Sequence, residues 1–461
     1  MNTIQTIRPS SGELLEVYDL HSQSEVEDRL AASWVAFESW RQRPMESRAQ
    51  MLLALAQVLE DGSERWALRM AEEMGKPLAQ GHSEVSKSAW VCRHYAEHAA
   101  EMIAPQTLSL ATGPYRPKHS SVVFSPLGPL LAIMPWNFPF WQVLRCAAPS
   151  LAAGNVVVLK HAPNVAGCAL DLEEIFLSAG FPRGVFTTLL VDEETTGELI
   201  ADPRIRAVTL TGSTTAGRAV AARAGAALKK CVLELGGSDP CVILDDADLE
   251  LAATACVESR LINSGQSCIA AKRWIVTSSR VESFTRRTKE LLRSKHVGDP
   301  LDPSTDIGPL ARHDLQQSLH RQVVASLEAG ARCALGGELP RGEGYYYPIT
   351  LLTEVTPSMV AGKEELFGPV ASILVARDEA QALAWANATS YGLGASIFTA
   401  DEERGRSLAA TNMEAGCCFV NDFVRSDPRL PFGGIKESGF GRELGTFGIQ
   451  EFVNVKSLVV A

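Results

Sequence analysis

The sequence lacks the features that identify several common classes of protein. It has no apolar run long enough to cross a membrane, and its first 13 residues, MNTIQTIRPSSGE, lack the basic-then-apolar pattern of a secretion signal. It has no internal repeat and no low-complexity segment. It also lacks a basic excess, since 43 Lys and Arg against 54 Asp and Glu give a net charge of −11. We therefore expect a cytoplasmic protein that binds neither membranes nor nucleic acid, because an acidic surface repels phosphate backbones.

The 10 cysteines lack any pattern that predicts a disulfide framework or a metal centre. They are scattered along 461 residues, and no two form a C-x-x-C motif. Disulfide frameworks belong to short, cysteine-dense secreted chains, so most of these thiols are expected to be small buried side chains. No metal site is predicted. The question is whether one of the cysteines is a nucleophile.

The hydrophobic pattern predicts an α/β protein. Residues 24–104 carry apolar side chains at helical spacing. From Pro126 onwards, short apolar runs alternate with helical patterns, which is typical of βαβ units and parallel sheets. Two sheets are predicted, the first from the runs Leu130–Met134, Val156–Leu159, Ala207–Leu210 and Val232–Leu235. Leu108–Phe124 is predicted to form a hairpin and Glu451–Val460 a strand, and such protruding strands often pair with another subunit.

Two motifs resemble known sites only in part. Gly212–Gly217 has the glycine spacing of a nucleotide-triphosphate loop, but Arg218 and Ala219 stand where the loop needs Lys and Ser or Thr. The segment still follows a predicted strand and opens a helix, whose N-terminus can hold a diphosphate without a metal. His94 and His98 match the H-x-x-E-H pattern of a zinc peptidase, which we interpret as an exposed helix face.

Three residues form a stronger set of candidates. Cys268 follows small polar residues and a glycine turn, unlike the cysteines with apolar flanks, and a reactive thiolate needs such a site. Glu234 ends an apolar strand before a glycine pair, where burial would raise its pKa and suit it to act as a general base. Asn137 lies on a turn between two prolines and offers an amide donor for an oxyanion. For each residue alone, a structural role remains an alternative.

Together these segments resemble the aldehyde dehydrogenase superfamily, over essentially the whole chain. Leu233–Gly237 and Gly265–Cys268 are similar to the family's glutamate and cysteine signatures, with Cys268 34 positions after Glu234. Further matches in the family's order are Pro135–Pro139, Thr211–Ser213, Glu364–Pro369 and Pro431–Gly439. Within the family, Met134–Pro139, Lys160–Asn164 and Lys229–Pro240 are similar to the short bacterial NAD(P)-dependent succinate-semialdehyde dehydrogenases.

The resemblance implies a subunit of three parts. The first is a variant dinucleotide-binding domain that binds NAD or NADP, formed by residues 1–105 and 127–234. The second is an α/β catalytic domain over residues 235–448. The third is a small β oligomerisation element, formed by residues 106–126 and 449–461, which would join subunits into a homodimer or homotetramer.

The resemblance also implies the oxidation of an aldehyde to its carboxylate. The Cys268 thiolate would attack the aldehyde, and the Asn137 amide and the Cys268 backbone N–H would hold the oxyanion. Hydride transfer would leave a thioester, which water activated by Glu234 would hydrolyse. The presence of all three residues argues against a non-catalytic relative. Glu234 argues against an acyl-phosphate reductase, because that chemistry needs no hydrolytic glutamate.

The family's cofactor contacts fall on motif positions of this chain. The pair Gly212–Ser213 would face the pyrophosphate at a helix N-terminus, with Trp136 packed beside it. Glu365 would hold the nicotinamide ribose with Phe367 against it, and the Leu235 backbone would lie near the nicotinamide amide. Each of these roles is implied by the resemblance.

The adenosine end departs from the NAD-preferring pattern. Lys160 would hold the ribose hydroxyls, but the glutamate that many relatives carry three positions later is Pro163 here. With no carboxylate to repel it, a 2′-phosphate would be tolerated beside Lys160 and His161. We therefore predict that both NAD and NADP are used.

The residues expected around the substrate favour an aldehyde that carries a carboxylate. Arg145 lies eight positions after Asn137, where semialdehyde-oxidising relatives place an arginine in the substrate tunnel; an ion pair at a domain interface is the alternative. A second arginine found in some relatives is Ile262 here, and the segment Arg425, Ser426 and Asp427 is a candidate replacement. Succinate semialdehyde is the predicted substrate.

The alternative substrate is an aromatic or medium-chain aliphatic aldehyde. Trp141, Phe423 and Phe432 would form an apolar wall for such a molecule.

Overall fold

The computed structural model describes residues 3–109 and 117–461. The strands in these ranges are β1 Thr3–Ile7, β2 Leu14–Asp19, β3 Gln106–Thr107, β4 His119–Pro126, β5 Pro129–Met134, β6 Val156–His161, β7 Phe186–Thr188, β8 Ala207–Thr211, β9 Lys230–Glu234, β10 Asp239–Ile243, β11 Ala271–Thr277, β12 Arg332–Leu335, β13 Thr350–Thr353, β14 Val370–Ala376, β15 Gly394–Phe398, β16 Cys417–Val420, β17 Gly439–Phe440 and β18 Val453–Val460. The helices are α1 Gln23–Trp40, α2 Met45–Asp61, α3 Ser63–Met74, α4 Leu78–Met102, α5 Trp141–Ala153, α6 Ala166–Ser178, α7 Glu193–Ala201, α8 Thr214–Ala226, α9 Leu249–Leu261, α10 Val281–Arg293, α11 His313–Glu328, α12 Val360–Lys363, α13 Glu379–Asn387, α14 Glu402–Thr411 and α15 Gly445–Glu451.

The N-terminal region is helical, as predicted for residues 24–104. Helix α1 begins at a capping box, in which Ser22 accepts the Glu25 N–H and the Glu25 carboxylate accepts the Ser22 N–H. Helix α3 ends at Gly75 in the left-handed conformation that glycine favours. The two strands before α1 were not predicted, because they are short, largely exposed and paired only with each other.

The first large sheet has six strands in the order β17-β9-β8-β5-β6-β7. All neighbours are parallel except β17, which runs antiparallel to β9. The four apolar runs predicted for this sheet are confirmed as strands. They are buried on both faces because α1, α5, α6 and α8 pack against them. The carboxyl ends of the parallel strands therefore share one edge.

The second large sheet has seven strands in the order β12-β13-β14-β11-β10-β15-β16. Only the β12–β13 pair is antiparallel. The two sheets confirm the predicted α/β class. Every residue of β11 is buried, although the strand contains Lys272 and Arg273. These two charges must therefore find partners inside the protein.

The third sheet joins the two segments that were predicted to be a hairpin and a C-terminal strand. Its order is β18-β4-β3, with antiparallel pairing throughout. Strand β18 pairs with β4 of the same chain from Val453–Pro126 to Val460–His119. Part of the predicted hairpin, residues 110–116, lies outside the described residues.

The histidine pair of the H-x-x-E-H motif lies on α4. The two rings are 4.9 Å apart between centroids. His98 is on an exposed face as expected, but His94 is buried, because the chain around α15 packs against this part of α4. No group of three or more metal-ligating side chains occurs in residues 3–109 and 117–461. No helix in the same ranges is long and apolar enough to cross a membrane.

Candidate active site

Three of the predicted site segments leave the first sheet at the same edge. Glu234 is the last residue of β9, Thr211 is the last residue of β8, and the turn Pro135–Pro139 follows β5 directly. Strand β8 lies between β9 and β5, and all three are parallel. Ligand sites of open α/β sheets form where such carboxyl ends meet. The fold thus brings Glu234 and Asn137 to one side of the sheet.

Cys268 follows a strained turn between α9 and β11. Asn263 and Ser264 have left-handed φ values of 55° and 56°, and Gly265 follows with 76°. A Cβ on Gly265 would lie 2.3 Å from the Gly368 carbonyl oxygen, so only glycine fits there. Strained backbone of this kind persists where the surrounding structure holds it, and it clusters at functional sites.

The turn before Cys268 also holds Asn137. The Asn137 side-chain nitrogen donates to the Gln266 carbonyl at 3.0 Å, while Asn263 donates to the Asn137 carbonyl at 2.6 Å. Lys76 donates to the same carbonyl at 3.0 Å. Because an amide nitrogen carries two N–H groups, Asn137 keeps a second donor for an oxyanion.

Burial in the site disfavours the charged forms of its two acid–base groups. Burial raises the pKa of the Cys268 thiol to about 12, although Arg145 and Lys272 both lower it. Burial and the nearby Glu443 carboxyl raise the pKa of Glu234 well above its usual range. Neither carboxyl oxygen of Glu234 has a hydrogen-bond partner within the described residues. A buried carboxyl without a partner and with a raised pKa is typical of a general base.

Lys272 is a buried site residue that the sequence analysis missed. Its ammonium donates to the carbonyls of Ser267 and Cys268 at 2.9 and 2.8 Å, and it lies 3.2 Å from the Glu365 carboxylate. The available signal was the pair Lys272 and Arg273 at the start of the stretch that forms β11, since lysine is buried only when it is paired. Lys272 ties the backbone of the nucleophile to Glu365.

The residues expected near the nicotinamide lie together. Glu365 accepts the Gly237 N–H at 3.0 Å. The rings of Trp136 and Phe367 meet edge to face, with 5.8 Å between centroids. Leu235 packs closely against α8. Three segments that are far apart in the sequence therefore form one wall.

The residues expected at the phosphates and the adenosine fit an anionic cofactor. Ser213 caps α8 and accepts the Ala216 N–H at 3.2 Å, with Gly212 directly before it. A helix N-terminus carries partial positive charge and binds phosphate groups. Lys160 lies partly buried at the end of β6, where burial lowers the pKa of its ammonium and Glu193 and Asp192 oppose that shift.

The structure corrects the expectation for His161. Its ring is buried, Nε2 donates to the Pro139 carbonyl at 2.9 Å, and Nδ1 accepts the Ala162 N–H at 2.9 Å. Burial lowers the pKa of His161 to about 4, so the ring is neutral. It therefore braces the Pro135–Pro139 turn instead of facing a 2′-phosphate. Pro163 opens a short 3-10 turn.

A cavity of about 450 Å³ opens on Cys268. Its apolar wall contains the predicted aromatic residues Trp141, Phe423 and Phe432, together with Phe138, Leu261, Ile262, Ile269 and Ile307. Arg145, Arg425 and Ser426 also line it, as expected. Asp427 does not line the cavity, and its carboxylate forms an ion pair with Arg429 at 2.6 Å.

Arg145 combines both roles that the sequence left open. It lines the cavity, with its guanidinium 4.8 Å from the Phe432 ring centroid. It also forms a buried ion pair with Glu443 and donates to the Thr211 hydroxyl at 3.3 Å. Its charge is therefore already compensated within the protein.

A match to a known family covers nearly the whole chain. The model described as the aldehyde dehydrogenase family matches residues 1–458. The chain belongs to the aldehyde dehydrogenase family. The family, the α/β fold class and the class of NAD(P)-dependent oxidoreductase that were predicted from the sequence are thereby confirmed.

Three similar proteins are described as succinate semialdehyde dehydrogenases. A succinate semialdehyde dehydrogenase [NAD(P)+] of Escherichia coli strain K12 is 46% identical over 453 residues, which cover 98% of this chain and 97% of that protein. A succinate-semialdehyde dehydrogenase [NADP(+)] of Mycobacterium leprae is 42% identical over 459 residues, which cover 100% of both. The crystal structure of succinic semialdehyde dehydrogenase from Streptococcus pyogenes with NADP+ has a TM-score of 0.96, with 34% identity and 99% coverage of both chains.

Proposed function

We propose that this aldehyde dehydrogenase oxidises succinate semialdehyde to succinate with NAD(P)+. The cavity on Cys268 carries the proposal, because its walls are apolar but include basic side chains that fit a carboxylate at the far end of a short aldehyde. The names of the relatives point to the same substrate. The balanced reaction consumes the aldehyde, water and NAD(P)+ and yields the carboxylate, NAD(P)H and two protons.

Cys268 is the proposed nucleophile. Its thiol releases its proton to the solvent, and the sulfur of the resulting thiolate forms a bond to the aldehyde carbon while the carbonyl oxygen takes the negative charge. The second N–H of the Asn137 amide, which is not used in its bond to the Gln266 carbonyl, would donate to that oxygen. When bound, NAD(P)+ supplies the hydride acceptor that turns this adduct into a thioester. The carboxylate form of Glu234 then takes a proton from water, whose oxygen bonds to the thioester carbon and displaces the Cys268 thiolate.

Three further features support a nicotinamide dinucleotide in the proposed site. Ser213 and Gly212 form the phosphate-facing helix terminus, and Lys160 supplies a cation for the adenosine ribose or a 2′-phosphate. Glu365, fixed by Lys272 and the Gly237 N–H, presents a carboxylate for the other ribose. Since no carboxylate stands at Pro163, both NAD+ and NADP+ are proposed to be accepted.

The proposed substrate is tested by steady-state kinetics with two four-carbon aldehydes. Succinate semialdehyde and butanal differ in the terminal carboxylate, and each is assayed with NAD+ and with NADP+. We expect kcat/KM to favour succinate semialdehyde by at least about 30-fold, because a charge-assisted pair contributes about 2 kcal/mol. Equal values for the two aldehydes, or a higher value for butanal, would refute the proposal.

An aromatic or medium-chain aldehyde is the second candidate. Trp141, Phe423 and Phe432 favour it, because they present three aromatic rings to the cavity. Benzaldehyde and hexanal in the same assay test this candidate. A kcat/KM for either one above that for succinate semialdehyde would favour it.

The division into domains and the assembly are also proposals. The six-stranded sheet supports a cofactor domain over residues 1–105 and 127–234, and the seven-stranded sheet supports a catalytic domain over 235–448. The sheet of β18, β4 and β3 supports an oligomerisation element, since Val455, Leu458, Val459 and Val460 on β18 are exposed apolar side chains. Light scattering tests the proposed homodimer or homotetramer. A cytoplasmic location is proposed because catalysis needs a free thiol.

A further inference from the structure

The cavity on Cys268 contains four basic side chains, and their pairing differs. Arg145, Lys295, Arg425 and Lys87 all line it. The first three form ion pairs with Glu443, Asp306 and Asp422, respectively. Among the residues that the structure describes, Lys87 has no carboxylate within ion-pair distance. It is thus the cavity's uncompensated cation.

The contacts of Lys87 hold its ammonium in place but leave its charge free. The ammonium donates to the Ser426 hydroxyl at 2.8 Å and lies 4.4 Å from the centroid of the Trp141 ring. Ser426 and Trp141 are themselves buried and line the same cavity. An ammonium has three donors and a hydroxyl can also donate, so both groups have capacity for an incoming carboxylate.

We infer that Lys87, with Ser426, binds the carboxylate of the substrate, and that Arg145 mainly shapes the cavity wall. The inference deepens the proposed function and rests on it. An ω-carboxylate entering the cavity would meet one cation that lacks a counter-ion and three that already have one. Binding at Lys87 therefore gains an ion pair without breaking an existing one.

The position of Lys87 explains why the sequence did not reveal it. It lies in the middle of α4, far from every motif of the family resemblance, and its helix reads as an ordinary amphipathic helix. Only folding brings α4 against α5 and the segment before Pro431. The juxtaposition of Lys87, Trp141 and Ser426 is a property of tertiary structure.

The charges around Lys87 make its protonation sensitive to pH. Burial and Arg145 on α5 lower the pKa of the Lys87 ammonium to about 8, while Glu84 on its own helix and Asp427 raise it and Arg425 lowers it. At that pH half of the Lys87 side chains carry the positive charge; the charged fraction approaches one as the pH falls and is lost as the pH rises. Carboxylate binding should therefore weaken above about pH 8, whereas binding of a neutral aldehyde should not.

The decisive comparison uses Lys87→Met, which removes the charge and keeps an apolar stem against Trp141. We expect KM for succinate semialdehyde to rise about 30- to 100-fold, because a charge-assisted contact is lost. The kcat for this substrate and the KM for butanal should each change less than about threefold, because Cys268 is untouched and butanal has no carboxylate. Lys87→Arg should recover most of the loss, since it restores the charge.

Lys295→Met is the matched control, because Lys295 lines the same cavity but already pairs with Asp306 at 3.2 Å. It should change KM for succinate semialdehyde less than about threefold. An equal loss in both variants would contradict the inference, because it would show a general effect of cavity charge. So would a Lys87→Met enzyme that keeps the wild-type preference between the two aldehydes.

The wild-type enzyme separates this inference from the proposed function. If it does not prefer succinate semialdehyde over butanal, the proposed function fails; if that preference survives in Lys87→Met, only the inference fails. Should Lys87→Met not fold, the wild-type pH profile decides. KM for succinate semialdehyde is expected to rise above about pH 8 relative to KM for butanal, and parallel profiles would contradict the role of Lys87.

Discussion

The two regions that face the Cys268 thiol are built in different ways. The cofactor region uses strand ends and tight turns: Glu234 ends β9, Asn137 follows β5, and Gly212 follows β8. The substrate cavity is lined by side chains from α4, α5 and the segment before Pro431. The first region is fixed largely by backbone, and the second by how separate helices and loops pack. Residues for the reaction are therefore held rigidly, while those that choose the aldehyde depend on side-chain placement.

The strongest test of the reaction region is Cys268→Ala. Turnover of every aldehyde should fall by at least about 10⁴-fold, because the bond-forming sulfur is lost. Cys417→Ala is the matched control, since Cys417 is another partly buried thiol and has no proposed catalytic role. Steady-state rates measure both variants. Substantial residual turnover in Cys268→Ala, or an equal loss in Cys417→Ala, would mean that the nucleophile is assigned wrongly.

Asn137→Ala should have the next largest effect. Loss of one oxyanion donor lowers kcat by about 10²- to 10³-fold. The loss should be the same for succinate semialdehyde and butanal, because the donor serves the reacting carbonyl and not the far end of the substrate. A loss that depended strongly on the aldehyde would break the separation between the two regions.

Arg145→Met tests whether the cavity wall is structural. It leaves Glu443 buried without its partner, which costs about 3 kcal/mol and should lower Tm by roughly 3 °C for a chain of this length. Arg145→Met with Glu443→Gln should recover part of the lost stability, because no unpaired charge remains. Thermal unfolding followed by circular dichroism measures both. A large rise in KM without any change in Tm would instead assign Arg145 to the substrate carboxylate.

His161→Asn should have the smallest effect on cofactor choice. Because the His161 ring is neutral and bonded to backbone on both sides, the ratio of kcat/KM for NADP+ and NAD+ should change less than about threefold. Lys160→Gln should shift the same ratio toward NAD+ by about tenfold, because it removes the cation available to a 2′-phosphate. A larger shift for His161→Asn than for Lys160→Gln would reverse this assignment.

The difference between the cofactor region and the substrate cavity also explains which site residues the sequence could predict. Glu234, Asn137 and Gly212 lie at turns after apolar runs, so short segments locate them and parallel strand order brings them together. His161 also follows such a run, but its ring orientation depends on the carbonyl of Pro139, which no local pattern reveals. The segment that contains Asp427 does reach the cavity as predicted, since Ser426 lines it. The Asp427 side chain does not line the cavity and instead forms an ion pair with Arg429.

Buried charged residues were the main part of the site that the sequence did not predict. Lys272 and Lys87 act through partners that are distant in the sequence or carried on another element, so their roles appear only after packing. The same holds for Arg145 and Glu443, which are 298 positions apart (443 − 145). Sequence patterns indicate secondary structure, through the spacing of apolar residues, and local motifs. The pairing of buried charges depends instead on tertiary contacts.

The most direct test of the central claim is to trap the acyl-enzyme. Glu234→Gln is mixed with succinate semialdehyde and NADP+, quenched in acid and digested for mass spectrometry. The account predicts a stoichiometric burst of NADPH and one succinyl group on the peptide that contains Cys268, because acylation proceeds while hydrolysis is slow. The account would be contradicted if there were no burst and no acylated Cys268 peptide, or if the acyl group were found on a different cysteine.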